Sequence, residues 1–308
     1  MNRIISLYQN ILNTLEFFSK NKPPKLDLDQ YTMPFVIGSE GAFFTGKSLF
    51  NKRAAIFANE STFKSLIESY APAIQKGLTR QAVIISASGE KDAMWEIELA
   101  KKHKLETTLL TCNANSSGAK LADKVIVYKK IAEPYTYNFS TYAGMMLSVT
   151  NENPKEIIEL IKNIELPKNY TNYVSYAFIL PDEYLEICNM VVTKGEEMFG
   201  PHLTLRSFTA GRARHAKFVV RWDKELVISI GEENKYFGDP NHRWNIDLPK
   251  NANMATLLSL TYYLVGKIQE SKPQYFKENI GNYVSDYGPK AYGPNTKPFE
   301  VIVPGSES

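Results

Sequence analysis

One short apolar stretch does most to constrain the fold of this 308-residue chain. Residues 82–85 read Ala-Val-Ile-Ile, and four consecutive apolar residues of this kind indicate a strand buried on both faces. The small polar residues of 86–89 follow, and residues 91–96 then have helix-forming composition. The first N–H groups of a helix have no partner within the helix, and the helix dipole favours negative charge there. The stretch therefore predicts a strand, a tight turn and a helix that together form an anion site.

The side chains of this turn suit an anion. Ser86 and Ser88 would add hydroxyl donors, and Gly89 would let the backbone approach a ligand closely. Lys91 either neutralises the anion or faces water. Ser88 could also do no more than cap the helix, as serine often does.

Other short apolar runs alternate with helical patterns between residues 33 and 123. The predicted strands besides the one at 82–85 are 35–37, 54–58, 107–111 and 124–128. Strands separated by helices imply parallel βαβ units, and hence a doubly wound α/β lobe. In such a sheet ligands bind beyond the carboxyl ends of the strands. We therefore expect the polar turns at 38–39, 86–89 and 111–113 to gather at one edge.

A second lobe repeats this plan in reduced form. Residues 173–180 and 226–230 are its clearest strands, and the latter corresponds by position to the strand at 82–85. It ends in Gly231-Glu232-Glu233, where the first lobe has hydroxyls, and two carboxylates would repel an anion such as phosphate. We therefore expect two lobes with one phosphate site.

The same patterns set the expected domain boundaries. An N-terminal helix in residues 1–30 is expected to pack on the first lobe or on a partner subunit. The remaining predicted segments are the first domain at 31–152, a linker at 153–170, the second domain at 171–290 and a C-terminal tail at 291–308.

Composition excludes several classes of function. A formal net charge of +3 gives no support to nucleic-acid binding, and no apolar run approaches the length of a membrane span. Cys112 and Cys188 have neither disulfide-framework nor metal-ligand spacing, which fits a reducing cytoplasm. We expect a cytoplasmic protein without a metal ion or another cofactor.

The turn Ser86-Ala87-Ser88-Gly89-Glu90 resembles the Ser-x-Ser-Gly-Glu turn of SIS (sugar isomerase) domains, which binds the phosphate of a phosphosugar. The resemblance implies phosphate contacts from Ser86, Ala87 and Ser88. In the loop after the first strand, which reads Gly-Ser-Glu-Gly where the family has Gly-x-Ser, the family's hydroxyl contact either falls on Ser39 or is absent. Lys91 stands where the family often has threonine.

A second match follows at Glu133, which precedes Ser140 and Thr141. SIS domains of the glucosamine-6-phosphate synthase type carry a glutamate and then Ser-Thr before a helix, with a spacing about two residues shorter. By that resemblance Ser140 or Thr141 contacts the sugar. Either residue could instead cap the helix that we expect at 142–149.

Segments of the second lobe and the tail resemble those that carry the catalytic residues of the same family. Residues 207–215 resemble the segment in which a histidine opens the sugar ring and reaches the neighbouring subunit's site, which implies this role for His215. Glu196 or Glu197 lies where the family has its catalytic base, and the choice between them stays open. The tail resembles the family's Pro-x-Asn-Leu-Ala-Lys end, so that Lys297 reaches the sugar. A solvated basic patch around His215 and a solvated glutamate pair are the alternatives.

The resemblance implies two SIS-like doubly wound parallel-sheet lobes (flavodoxin-like αβα sandwiches), the second reduced. It implies a phosphosugar isomerase that interconverts aldose and ketose forms of a hexose or aminohexose phosphate, with or without release of ammonia. It further implies a homodimer with composite active sites. Because Met1 is not followed by cysteine and the chain has no room for a glutaminase domain, we expect no glutamine-dependent amination.

Two other classes stay open at this point. One is a phosphosugar sensor that binds without turnover, which the departures from the family pattern would suit. The other is a nucleotide-binding dehydrogenase, which the βαβ pattern allows. The loop after the first strand lacks the GxGxxG fingerprint that a dehydrogenase requires.

Overall fold

The computed structural model of the protein describes residues 4–306. The chain divides into two compact units. The first lobe consists of Asn21–Lys130, Thr141–Asn151 and Ser306. The second lobe consists of the chain up to Lys20, Ile131–Ser140 and Glu152–Gly305.

The first lobe contains one five-stranded sheet. Its strands are β1 (Phe35–Gly38), β2 (Ile56–Ala58), β3 (Gln81–Ile85), β4 (Glu106–Thr111) and β5 (Lys124–Val127). They lie in the order β2-β1-β3-β4-β5, and every pair is parallel. Residues 82–85 of β3 are buried, as two-sided coverage of a parallel strand requires. The expected central strand is confirmed.

Helices alternate with these strands. They are α2 (Gly41–Leu49), α3 (Phe63–Ser69), α4 (Ala71–Gln75), α5 (Asp92–Lys102), α6 (Ser117–Leu121) and α7 (Phe139–Leu147), the last of which begins in the second-lobe segment 131–140. On α5 the buried residues Ala93, Ile97 and Ala100 recur at helical spacing and join the core cluster around β3. The parallel α/β architecture that the alternating pattern predicts is confirmed.

The second lobe contains a four-stranded parallel sheet and a two-stranded antiparallel one. Its strands are β6 (Glu133–Pro134), β7 (Ser175–Leu180), β8 (Thr204–Thr209), β9 (Glu225–Ile230), β10 (Arg243–Ile246) and β11 (Ile302–Val303). The large sheet has the order β10-β9-β7-β8 and the small one pairs β11 with β6. In this order β9 flanks β7 as β3 flanks β1, so the expected correspondence of these two strands holds. The second sheet is one strand smaller.

Seven α-helices lie wholly within the described part of the second lobe. They are α1 (Leu7–Lys20), α8 (Pro154–Lys162), α9 (Leu185–Phe199), α10 (Ala210–Ala213), α11 (Met254–Ser271), α12 (Tyr275–Asn282) and α13 (Gly288–Lys290). Within residues 4–306, no helix of either lobe combines the length and apolar character that a membrane crossing requires.

Helix α1 packs on α8 and α11 of the second lobe. The expectation that it packs on the first lobe is therefore wrong. Its N-terminus is tied to α11, since the backbone N–H of Leu7 donates to the amide oxygen of Gln269 at 2.9 Å. Gly266 of α11 allows the close approach, because a Cβ at this position would lie 2.3 Å from the backbone nitrogen of Tyr8.

Strand β8 was not expected, because its sequence Thr-Leu-Arg-Ser-Phe-Thr places a charge within the strand. The guanidinium of Arg206 donates to both carboxylate oxygens of Glu225, at 3.0 and 2.6 Å. Glu225 is buried and also accepts from the hydroxyl of Ser175 at 2.8 Å. A buried carboxylate is tolerated when it is paired and hydrogen-bonded, which is how the sheet accommodates this arginine.

The contact at Gly266 gives a stability prediction. Gly266→Ala should lower the free energy of unfolding by about 1–3 kcal/mol, because the added methyl group overpacks the α1–α11 contact. Gly281→Ala is the matched control: it also replaces a helical glycine, but its Cβ would meet no atom within 4 Å. The control should gain about 0.5–1 kcal/mol from better helix propensity. Urea unfolding measures both changes, and equal effects of the two substitutions would contradict the close packing.

Candidate functional site

The register of the first sheet brings three polar residues side by side. Gly38 of β1 pairs with Ile85 of β3, and Ile85 pairs with Leu110 of β4. The residues that follow these three positions are Ser39, Ser86 and Thr111. Neighbouring strands lie about 4.8 Å apart, so these residues form a row at the carboxyl edge of the sheet. That edge is where open α/β sheets bind their ligands.

The serines of the turn after β3 keep their hydroxyl protons available. The Ser86 hydroxyl accepts a hydrogen bond from the Gly89 backbone N–H at 3.1 Å, and the Ser88 hydroxyl accepts from the Glu90 N–H at 3.3 Å. A hydroxyl that accepts still has its own proton to donate. Ser86 is half-buried and Ser88 is exposed. The turn can therefore offer two O–H donors next to the N-terminus of α5.

The loop after β4 packs tightly against this turn. The backbone N–H of Gly118 donates to the Gly89 carbonyl at 2.9 Å, and that of Cys112 donates to the Ala87 carbonyl, also at 2.9 Å. A Cβ at Gly89 would lie 2.2 Å from the Ser116 hydroxyl oxygen, and Gly89 has a φ of +65°. Glycine is needed here for both reasons. Such close packing holds the turn in one shape.

Two non-glycine residues stand in the left-handed region just before helices α2 and α5. Glu40 has φ 45° and ψ −116°, and Lys91 has φ 55° and ψ −118°. Such a conformation is unfavourable by about 1–3 kcal/mol and persists where the surroundings impose it. Both turns at the carboxyl edge therefore enter their helices in the same way.

Lys91 is exposed and supplies a cation at the start of α5. Partial desolvation lowers the pKa of its ammonium, and the nearby Asp92 carboxylate opposes this shift. A phosphate at the turn would favour the charged form of this lysine. The sequence left open whether Lys91 meets an anion or water, and both remain compatible with its position.

Ser140 and Thr141 lie at the start of α7 and are both fully buried. The Ser140 hydroxyl donates to Glu133 at 2.7 Å, and its backbone N–H donates to the same carboxylate at 3.2 Å. Asn10 donates to Glu133 at 2.9 Å. In the first lobe, Thr141 lies 3.6 Å from the Cys112 sulfur. The sugar contacts expected of Ser140 and Thr141 stay predictions, and the described role of Ser140 is to hold Glu133 at the start of α7.

Near the end of α9, the two candidate bases differ in environment. Glu196 is exposed, whereas the side chain of Glu197 is 29% exposed and pairs with Lys194 one helical turn earlier. The Lys194 side chain is only 3% exposed. Its ammonium also donates to the Thr136 carbonyl and lies 5.3 Å from the ring centre of Tyr262. Its pairing with Lys194 thus holds the Glu197 carboxylate in one place and partly out of solvent, whereas Glu196 is solvated.

Sequence reasoning did not single out Lys194. The sequence signal for Lys194 was its spacing of three residues from Glu197, because residues three apart on a helix lie on one face and can pair. Thr136, whose carbonyl it contacts, has a φ of +71°, which is rare for a β-branched residue. The segment after β6 is therefore held in an unfavourable conformation where it meets this lysine.

The tail packs onto the second lobe through backbone pairing and aromatic contacts. Strand β11 pairs antiparallel with β6, and the Phe299 ring stacks on Tyr135 at 5.1 Å. Burial raises the pKa of the Tyr135 hydroxyl, and the nearby Tyr292 and Tyr283 raise it further. Lys297, two residues before Phe299, is exposed. The expectation from the tail's aromatic residues that it packs down is confirmed, whereas a contact of Lys297 with a sugar stays a prediction.

His215 follows α10 and is exposed, together with Arg212, Arg214 and Lys217. Its backbone N–H donates to the Arg212 carbonyl at 3.1 Å. The exposed histidine fits either interpretation of the sequence, a solvated basic patch or a residue that acts on a neighbouring subunit.

In the second lobe a carboxylate follows β7, the strand that corresponds to β1 of the first lobe. Asp182, just after β7, accepts a hydrogen bond from the Gly211 backbone N–H at 2.6 Å. This hydrogen bond lowers the pKa of Asp182, and the hydroxyl of Thr209 lowers it further. An internal anion occupies the start of α10, in addition to the glutamates that follow β9. The expectation of one phosphate site stays a prediction.

The sequence-derived site residues fall into the two lobes. Ser39, Ser86, Ala87, Ser88, Lys91 and Thr141 belong to the first lobe, and Ser140, Glu196, Glu197, His215 and Lys297 belong to the second. Among residues 4–306, no three His, Cys, Asp or Glu side chains gather in a way that could hold a metal ion.

Comparison of structures identifies the fold. Neither a protein-family model nor a curated protein matches the sequence. Among solved structures, the chain is similar to glucosamine-6-phosphate deaminase from Thermotoga maritima, with 14% identity, a TM-score of 0.55 and coverage of 86% of this chain and 92% of that one. It is similar to tagatose-6-phosphate ketose/aldose isomerase from Escherichia coli, with 12% identity, a TM-score of 0.56 and coverage of 86% and 87%.

A third similar structure is the C-terminal domain of glucosamine-fructose-6-phosphate aminotransferase from Francisella tularensis, with 13% identity and a TM-score of 0.54. The match covers 86% of this chain and 93% of that domain. The fold is therefore that of the SIS-type phosphosugar isomerases, as the resemblance in sequence implied. At these identities the similarity shows the fold alone.

The helix that follows the turn carries a buried acid. Glu96 of α5 is 1% exposed, and its Oε1 atom has no hydrogen-bond partner within the described chain. Burial, together with the nearby carboxylates of Asp92 and Glu60, raises the pKa of Glu96 to about 8. The folded state therefore favours the protonated, neutral form.

A pH prediction follows from Glu96. Because its pKa is higher in the folded than in the unfolded state, it costs stability as the pH rises from about 4.5 towards 8, by up to about 1.4 kcal/mol per pH unit. Glu96→Gln should remove this loss and be more stable than the parent at pH 8. Urea unfolding at pH 5 and pH 8 measures the difference, with Glu98→Gln, an exposed position on the same helix, as the control. An unchanged pH dependence in Glu96→Gln would contradict the assignment.

Proposed function

We propose that the protein binds the phosphate group of a hexose or aminohexose phosphate at the turn after β3. The observation that carries this proposal is the pair of available hydroxyls, Ser86 and Ser88, at the carboxyl edge of the first sheet, where the neighbouring Thr111 donates its own proton to the Ala87 carbonyl. Hydroxyl donors and the N-terminus of α5 meet at this edge, and both favour an anion. The exposed ammonium of Lys91 adds a positive charge. The similar structures named for phosphosugar enzymes support the choice of ligand.

The proposed reaction is the interconversion of aldose and ketose forms, with or without release of ammonia. Such an isomerisation moves one proton between C2 and C1 through a cis-enediol, and a carboxylate can remove and return that proton. We assign this role to Glu197, since it is half-buried and paired with Lys194, whereas Glu196 is exposed. His215 would open the sugar ring, and Lys297 would stabilise the negative charge on the enediolate oxygen.

The proposal includes a homodimer with composite sites, because the resemblance has the histidine act on the neighbouring subunit. A cytoplasmic location belongs to the same proposal. A protein that is monomeric at the concentration of the activity assay, and fully active there, would contradict the composite site.

A sensor that binds a sugar phosphate without turnover is the second candidate. The observation that favours it is the exposure of both His215 and Lys297. Binding of a hexose phosphate without conversion of any member of a panel of hexose and aminohexose phosphates would support it.

The phosphate site gives a binding prediction. Ser88→Ala should weaken the binding of glucosamine 6-phosphate roughly 10- to 150-fold, because a hydrogen bond to a charged group contributes about 1.5–3 kcal/mol. Isothermal titration calorimetry measures the dissociation constant. Ser65→Ala is the control, since the Ser65 hydroxyl donates to a helix carbonyl and is also exposed. Equal affinities of Ser88→Ala and the parent would exclude this turn as the phosphate site.

Glutamine substitutions at Glu196 and Glu197 form a matched pair that tests which residue is the catalytic base. Glu197→Gln should lower kcat by about 10²- to 10⁴-fold because the amide cannot accept the proton. Glu196→Gln should keep kcat within about twofold, since its side chain is solvated. In the same assay Lys297→Ala should lower kcat by about 10²- to 10³-fold. Conversion of glucose 6-phosphate and glucosamine 6-phosphate is followed by NMR. Activity lost in Glu196→Gln and kept in Glu197→Gln would reverse the assignment.

A further inference from the structure

Glu90 closes the turn after β3, and the proposed function gives this residue no role. It directly follows Gly89 and is half-buried. A carboxylate in a turn that binds phosphate needs an explanation, because a negative charge that faced the ligand would repel it. The direction in which the Glu90 side chain points therefore matters for the binding of an anion.

The Glu90 carboxylate is held at the start of helix α6. Its Oε1 atom accepts a hydrogen bond from the backbone N–H of Ser117 at 2.9 Å. Ser117 is the first residue of α6, and the first N–H groups of a helix have no partner within the helix. Negative charge is favourable at such a helix start. The charge of Glu90 is therefore stabilised by the helix that follows β4.

The next two N–H groups of α6 are also engaged. The N–H of Gly118 donates to the Gly89 carbonyl at 2.9 Å, and the N–H of Ala119 donates to the hydroxyl of Ser116 at 3.1 Å. The first three N–H groups of α6 thus all have partners within the first lobe. An anion at the carboxyl edge of the sheet therefore meets the start of α5 instead of the start of α6.

Two more hydrogen bonds join the segment 111–118 to the same turn. The Ala87 carbonyl accepts from the Cys112 backbone N–H at 2.9 Å and from the Thr111 hydroxyl at 3.2 Å. These bonds hold the middle of the turn, whereas Glu90 holds its end. Because Glu90 accepts through its side chain, a substitution can remove this contact without changing the backbone of the turn.

We infer that Glu90 is a positioning residue of the proposed phosphate site. By accepting from the Ser117 N–H it fixes the end of the turn, and its own N–H donates to the Ser88 hydroxyl at 3.3 Å. It also keeps its negative charge on α6 and away from the ligand. The inference rests on the proposed binding of phosphate at this turn. Glu90 acts through the turn and the segment 111–118, without a contact to the substrate.

Removing the hydrogen bond from either side tests this role. Glu90→Ala removes the acceptor, and Ser117→Pro removes the donor. Proline suits this position because helices accept it as their first residue and because Ser116 before it is extended, with φ −63° and ψ 161°. Each variant should weaken the binding of glucosamine 6-phosphate about 10-fold, as measured by isothermal titration calorimetry. The double variant should bind no more weakly than the weaker single variant, since both substitutions remove the same contact.

Glu90→Gln separates the hydrogen bond from the charge. The amide oxygen of glutamine still accepts from the Ser117 N–H, so this variant should bind within about threefold of the parent. Asp123→Ala is the matched control for a general loss of stability. The Asp123 carboxylate also accepts from a backbone N–H, that of Thr107 at 2.9 Å, near the start of β4 and hence at the opposite edge of the same sheet. This variant should lose stability in urea and keep its affinity for the ligand.

Several outcomes would overturn the positioning role. They are parent-like affinity in Ser117→Pro or in a folded Glu90→Ala, additive losses in the double variant, much tighter binding by Glu90→Gln, and equal losses in Asp123→Ala and Glu90→Ala. Circular dichroism shows which variants fold, and Ser117→Pro with Glu90→Gln decides the question if Glu90→Ala does not. If Ser88→Ala weakens binding while Glu90→Ala and Ser117→Pro do not, the phosphate site stands and the role of Glu90 is wrong. A parent that binds no sugar phosphate would overturn both.

Discussion

The parallel pairing of β3 with β1 and β4 is the interaction on which the first lobe depends. It fixes which residues reach the carboxyl edge, because a shift of one residue in register would turn each side chain to the other face of the sheet. With Gly38 opposite Ile85 and Ile85 opposite Leu110, the next residues along the three strands are the hydroxyl-bearing ones. The buried core beneath them holds this register, since Phe35, Ile37, Ile84 and Leu109 all belong to one cluster. The row of hydroxyl-bearing residues at this edge is thus a consequence of how the hydrophobic core packs.

The second lobe differs from the first because it contains buried charges that pair with each other inside the fold. Arg206 bridges to Glu225 within the sheet, and Lys194 bridges to Glu197 and the Thr136 carbonyl. Removing one member of such a pair leaves an uncompensated charge, which is more destabilising than the pair itself is stabilising. The second lobe therefore depends on charges paired inside the fold, whereas the first lobe has neutral hydroxyls and backbone N–H groups at the carboxyl edge of its sheet.

The sequence predicted the strand and helix order of the first lobe because its buried strands are short apolar runs with clear polar turns between them. It did not predict β8, where Arg206 interrupts the apolar pattern and only a long-range partner, Glu225, makes the strand possible. For the same reason Lys194 escaped notice, since its burial depends on the Thr136 carbonyl 58 positions away in the chain. The choice between Glu196 and Glu197 also needed the structure, because adjacent residues on a helix differ in burial only through what packs against them.

The shared backbone conformation of Glu40 and Lys91 has a consequence for how a ligand meets the first lobe. Both residues hold a positive φ within the folded lobe, so the packing around the two turns maintains these unfavourable torsions. At the proposed phosphate site, a turn held in one shape would lose less entropy on binding than a flexible loop would. At Glu40 and Lys91, stability and affinity therefore change in opposite directions. A substitution that relaxes either torsion would raise the free energy of unfolding of the lobe and would weaken the binding of an anion at the proposed site.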